Sequence, residues 1–211
     1  MTRERTRSTL RRSLAGQALV MLALSLTALC GVAALAVDAS GAWRAHARLV
    51  SSAELAKDSS LTSVNALKFS DDPAATAHDL VTDALAADGF CGSYEVTYYE
   101  LPVSETGMAD RFGGVRVELH QPYETLIAGV IGVTELDVAC DLSWSVNPYS
   151  SSVVWRPSEE AFGRRYRGTI DQDGSVAVSD SVDLGPSDRD ALPDDLEQAI
   201  GDAVSGRDDF D

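Results

Sequence analysis

ALVMLALSLTALCGVAALAV, residues 18–37, is an uncharged run of twenty residues near the start of a 211-residue chain. At about 1.5 Å of rise per residue, a helix of that length matches the roughly 30 Å hydrocarbon core of a bilayer. The stretch therefore predicts a single transmembrane helix. Ahead of it stand Arg3, Arg5, Arg7, Arg11 and Arg12 against Glu4, a net +4 that the positive-inside rule keeps in the cytoplasm. Residues 1–17 form a basic leader, and everything after Asp38 is expected on the outer side.

A secretory signal peptide is the alternative for this leader. Its apolar region is usually shorter, yet Ala34-Leu35-Ala36 supplies an A-x-A cleavage pattern. Cys30 follows Leu29 where lipid attachment would want a small residue, so it reads as a small apolar residue of the span.

With +4 in the leader and −16 over the chain, the remainder carries −20, densest toward its end. Such a surface repels phosphate backbones and anionic lipid headgroups, and nucleic-acid binding is not expected. Two of the three cysteines, Cys91 and Cys140, fall in the part expected outside, where an oxidising compartment permits a disulfide. Joined, they would close a loop of about 50 residues, worth roughly 4 kcal/mol in the chain-entropy view. Two buried thiols are the other reading.

Beyond the apolar run the helical spacing continues through Ala42, Ala45, Leu49, Ala53, Ala56, Ser60, Val64 and Leu67. The anchor helix is thus expected to run on to Phe69 as a stalk, more than about 70 Å from the start of the apolar run. Small residues dominate this stripe. Ala45, Leu49, Ala53 and Ala56 offer a smooth face for another helix, or a cover for the protein's own sheet. Ser70-Asp71-Asp72-Pro73 ends the helix and starts a second one, residues 73–88, with Asp72 as cap, Pro73 in the first turn and Gly89 as left-handed stop.

From Cys91 the period changes to two. Tyr94, Val96 and Tyr98 alternate with polar residues, as do Val115, Val117 and Leu119. In VTELDVACDLSWSV, residues 133–146, Leu136, Val138, Cys140, Leu142, Trp144 and Val146 face one way and polar residues the other. One apolar and one wet face predict an antiparallel sheet covered on one side by the two helices. The apolar residues 125–133 are too few to span a membrane. They read as a buried crossover or, alternatively, as an exposed contact for a partner or the outer bilayer face. Residues 168–178 predict a hairpin turning at Asp173-Gly174. A short amphipathic helix is expected over residues 193–204, but nine acids and two arginines from Gly185 onward favour partial disorder.

Catalytic motifs are missing: there is no G-x-S-x-G, H-E-x-x-H, G-x-G-x-x-G or Walker-type loop. His46, His78 and His120 have no metal-ligand spacing and read as solvated or hydrogen-bonded side chains. Asp171, Asp173 and Asp180 do not continue as a calcium loop, so a plain Asp-Gly turn is preferred. No cofactor is expected.

The order of parts resembles a known group. The basic leader, Gly16-Gln-Ala-Leu-Val20 opening the uncharged helix, Val37-Asp38, Trp43-Arg44 and Arg48-Leu-Val-Ser-Ser-Ala-Glu54 are similar to the N-terminal region of TadE and TadG proteins of the Tad (Flp) pilus assembly system. VRVELHQPYETLIAGVIGVTELDVACDLSWSVNP, residues 115–148, resembles the TadE order of strand, proline, apolar stretch and long final strand. The resemblance implies an α+β, pilin-like domain over residues 38–148, with an acidic extension over 149–211. It also implies a non-enzymatic role as a minor pilin or assembly factor, packed against other pilus subunits in a bacterial cell membrane. Prepilin processing would map to Gly16-Gln17, although Met21 stands where such pilins carry Glu. A membrane-anchored binding module for a wall polymer or calcium is the alternative, and an anchored enzyme a more distant one.

Overall fold

The computed structural model describes residues 3–63, 66–67, 70–106, 112–146 and 160–205. Helix α1, Arg3–Thr62, contains the apolar run without a break. It is long and apolar enough to cross a membrane, and Leu19, Leu22, Leu26, Leu29 and Val32 on its successive turns are all exposed. The expected stalk end at Phe69, and Val64 in its stripe, lie outside the described residues.

Helix α2, Pro73–Asp88, starts and stops where its caps require. Asp72 accepts a hydrogen bond from the Ala75 N–H at 3.0 Å, and Gly89 at φ 77° lets the chain leave through the left-handed region. The strands are β1 (Gly92–Leu101), β2 (Phe112–Glu124), β3 (Glu135–Val146), β4 (Phe162–Ile170) and β5 (Val176–Leu184). They form one sheet in the order β3-β2-β1-β4-β5. β1 pairs antiparallel with both β2 and β4, and β4 with β5. A one-turn helix α3, Val103–Thr106, follows β1, and α4, Asp194–Ser205, closes the described chain.

The chain divides into two compact units. One comprises Met1–Arg44 with Tyr123–Leu136, the other Ala45–Pro122 with Asp137–Asp211. In the second unit, strand alternation sorts the core. Tyr94, Val96 and Tyr98 of β1 stand opposite Leu119, Val117 and Val115 of β2, and all six are buried. α2 packs on this face, where His78 meets the rings of Tyr94 and Tyr166. α1 is tied to the same unit by Ser52 Oγ, which donates to Asp88 Oδ2 at 2.6 Å, and by a His46 Nδ1 contact to the Ala139 carbonyl at 3.0 Å.

The other face of the sheet is not simply wet, as alternation had suggested. Tyr99, Leu184, Leu192, Leu196 and Ile200 form a second buried cluster there, with α4 laid over one half of the sheet. Gly114 makes the close approach possible. A Cβ at that position would stand 2.7 Å from both Leu196 Cδ1 and Ile200 Cγ1.

Three expectations are corrected. The acidic segment expected as an extension beyond residue 148 is, from 160 to 205, part of the sheet domain, and the short helix expected over 193–204 forms as α4, Asp194–Ser205. From 160 to 205 the chain supplies β4, which pairs directly with β1, and α4, whose Leu196 and Ile200 are buried. The three arginines of β4 had obscured it. Arg164 donates to Asp72 Oδ2 at 2.7 Å and pairs with Asp183, while Arg165 and Arg167 share Glu95. The hairpin does turn through Asp173-Gly174, with Gly174 at φ 81°.

The second correction concerns Cys91 and Cys140, which are free thiols. Cys91 just precedes β1 while Cys140 lies in β3, and β2 runs between these strands. Two strand spacings come to about 9.6 Å, beyond the roughly 4.4–6.8 Å that a disulfide tolerates between Cα atoms. Burial and the neighbouring Asp141 push the Cys140 thiol up to about 11, which leaves it unreactive at neutral pH.

Third, residues 125–133 are not a buried crossover. Leu126, Ile127 and Val133 are exposed, around a single 3₁₀ turn at Ala128–Ile131 that Gly132 ends at φ 91°.

Candidate functional site

The small-residue stripe was the expected contact face, and the structure turns most of it inward. Leu49, Ala53 and Ala56 are buried within the second unit, and Ala45 is half-buried. The short side chains do permit close packing, but against the protein's own core. The residues of α1 that remain outward beyond Arg44 are different ones, Val50, Leu55 and Leu61 among them. Gly16 and Gln17, the expected processing point, lie within α1.

The uncovered half of the sheet's second face carries a ladder of charges. Arg116, itself largely shielded, bridges Glu118 at 2.7 Å, Asp141 at 3.3 Å and Asp195 at 3.3 Å, and so ties α4 to β2 and β3. Ser143 Oγ adds a hydrogen bond to Asp195 Oδ2. Next to it, His120 Nε2 lies 3.0 Å from Glu118 and Nδ1 lies 3.0 Å from Asp137. Both ring nitrogens face carboxylates, which accept only, an arrangement that favours the protonated imidazole. Ser93, Glu95, Glu118, His120, Arg167 and Thr169 line an open groove of about 310 Å³ over this ladder.

The Glu118 and Asp137 carboxylates raise the His120 pKa above its ordinary 6.5. Arg116 first, and His120 after it, hold Glu118 below its ordinary 4.5. A raised histidine contributes stability that is fully present below the unfolded value and is lost as pH rises through the folded one. The lowered Glu118 contributes above its unfolded value, and that part is lost as pH falls through its folded one. The melting temperature of wild type should therefore exceed that of His120→Gln by more at about pH 5.5 than at about pH 8.5. Solvent screening keeps the gap within about 1 kcal/mol. An equal gap at both pH values would contradict the protonated ladder.

His78 is the buried histidine, and it is satisfied on both sides. Nδ1 lies 2.9 Å from Asp79 Oδ1, and Nε2 lies 2.9 Å from the Tyr94 hydroxyl. Burial, with Asp79 nearby, pushes Tyr94 up to about 12. This chain of bonds locks α2 to β1. Among the described residues, no group of three or more His, Cys, Asp or Glu is placed to hold a metal ion.

In the first unit, one feature escaped the sequence. Asp38, the residue directly after the apolar run, is only 3% exposed. Its carboxylate accepts from the backbone N–H groups of Leu126 at 2.8 Å, Ile127 at 3.1 Å and Ala128 at 2.6 Å. One turn further along α1, Gly41 leaves room for the Tyr123 hydroxyl, which any Cβ there would strike. Local pattern gives Asp38 no partner, because the amides that bind it lie some ninety residues away. The chain matches no protein-family model, no curated protein and no solved structure.

Proposed function

We propose that this chain is a single-pass protein of a bacterial cell membrane, with its N-terminus cytoplasmic and its sheet domain outside. Its role is that of a minor pilin or assembly factor of a Tad-type pilus, acting by packing against other pilus subunits rather than by catalysis. The observation that carries this reading is the continuity of α1. One uninterrupted helix holds the exposed apolar run at one end and the core residues Leu49, Ala53 and Ala56 at the other. The ordered TadE- and TadG-like segments of the sequence support the same reading. With the small-residue stripe turned inward, partner contacts fall to the apolar run and to outward residues such as Val50 and Leu55.

Deleting this chain from its own cells is the functional test. Electron microscopy should show loss of pili, and the intact chain should restore them. Normal piliation without it would contradict the proposal. A membrane-anchored binding module is the second reading, favoured by the open charged groove over Glu118, His120 and Arg167. Calorimetric binding of calcium or a wall glycan, lost in Glu118→Gln, would favour that reading instead.

A further inference from the structure

We infer that the loop of residues 125–134 is a second, shallow membrane contact, seated in the headgroup layer where α1 leaves the bilayer. The inference rests on the reading of α1 as a membrane span. Three observations carry it. The first is direction: as the chain advances from Tyr123 to Ala128, its contacts on α1 step back from Gly41 to Asp38, toward the apolar run. The loop thus lies beside Asp38, next to Val37, the exposed last residue of the apolar run.

The second is composition. Leu126 is 76% exposed and Ile127 and Val133 are also outward, an arrangement that water disfavours and an acyl boundary accepts. Trp43, 74% exposed on α1 just beyond Asp38, is a residue type enriched at membrane interfaces.

The third is hydrogen bonding. Backbone that leaves water must have its donors satisfied internally. Here Asp38 takes the N–H groups of Leu126, Ile127 and Ala128. The Thr125 N–H goes to the Thr134 carbonyl, Val133 N–H to Ala128 and Gly132 N–H to Gly129. Thr125 Oγ1 donates to the Val133 carbonyl as well. The Asp38 carboxylate, shielded by the same three amides, serves as the fixed link between helix and loop.

The test uses the full chain in vesicles of phosphatidylcholine and phosphatidylglycerol, in a Cys30→Ala/Cys91→Ser background where buried Cys140 does not react. An environment-sensitive fluorophore is attached at Leu126→Cys, at Leu26→Cys inside the apolar run, and at Ser181→Cys in β5 as the aqueous reference. Lipids carrying a nitroxide near the headgroup should quench the Leu126 probe more than lipids carrying it near the acyl end. The Leu26 probe should show the reverse, and the Ser181 probe neither. Adding Asp38→Ala should abolish quenching at Leu126 and spare it at Leu26. A quenched Leu26 probe with a Leu126 probe that behaves like Ser181 would overturn the loop inference and leave the anchor standing. A blue-shifted Leu126 probe that no lipid nitroxide quenches would mean that protein and not lipid covers the loop, and would likewise overturn the inference. An unquenched Leu26 probe would overturn the anchor itself.

Discussion

Ala53→Trp is expected to unfold the sheet domain or to lower its melting temperature by roughly 6–12 °C. Ala53 is 1% exposed between Leu49 and Ala56, both buried, on the part of α1 that belongs to the second unit. An indole at this position must displace packed neighbours, and overpacking of a native core costs about 1–3 kcal/mol or more. The top of that range converts to the stated shift at about 2–4 °C per kcal/mol for a domain of this size. Glu54→Trp, one residue on and exposed, should stay within about 0.5 kcal/mol of wild type, as surface changes usually do. Scanning calorimetry of the full chain in detergent decides it. Equal melting of the Ala53→Trp variant and wild type would mean that the stripe is open after all and free for a partner helix.

The second large effect belongs to α4. Leu196 has no exposed surface and meets Gly114 together with Ile200, in a cluster with Tyr99, Leu184 and Leu192. Leu196→Ala removes that contact and leaves a cavity, a change that costs about 2–5 kcal/mol in cores. Asp202→Ala, on the exposed side of the same helix, should be near neutral. Urea unfolding monitored by circular dichroism should show the midpoint falling for the first variant and not for the second. An unchanged midpoint for Leu196→Ala would mean that the acidic end is an appendage and not part of the domain.

These two cases also show where local pattern suffices and where it does not. α2 was legible to its ends because its signals are local: Asp72 caps, Pro73 starts and Gly89 stops within one short segment. β1, β2 and β3 were legible because alternation is a property of neighbouring residues. β4 was not, since Arg164, Arg165 and Arg167 read as solvated until Asp72, Asp183 and Glu95 arrive from other elements to pair with them. The helical spacing of α4 was legible over 193–204, but its acidic surroundings gave no sign that it packs; the gap over Gly114 in a distant strand is what seats Leu196 and Ile200.

The candidate contact face shows the same limit. Small residues at helical spacing do announce close approach, but they do not say to what, and here Leu49, Ala53 and Ala56 are buried in the chain's own core. The Asp38 clamp was invisible for a related reason. A lone aspartate after an apolar run acquires meaning only when three backbone amides converge on it. For Cys91 and Cys140, compartment and loop length favoured a bond that the strand order β3-β2-β1 forbids.

In the proposed topology, α1 crosses the membrane once, with the basic leader inside and the sheet domain outside. Cysteine labelling of intact cells with an impermeant maleimide tests it most directly, in the Cys30→Ala/Cys91→Ser background. Ser104→Cys, exposed in α3, should react from outside, and Thr2→Cys in the leader should react only after the cells are permeabilised. Reaction of Thr2→Cys in intact cells with protection of Ser104→Cys would contradict the claim.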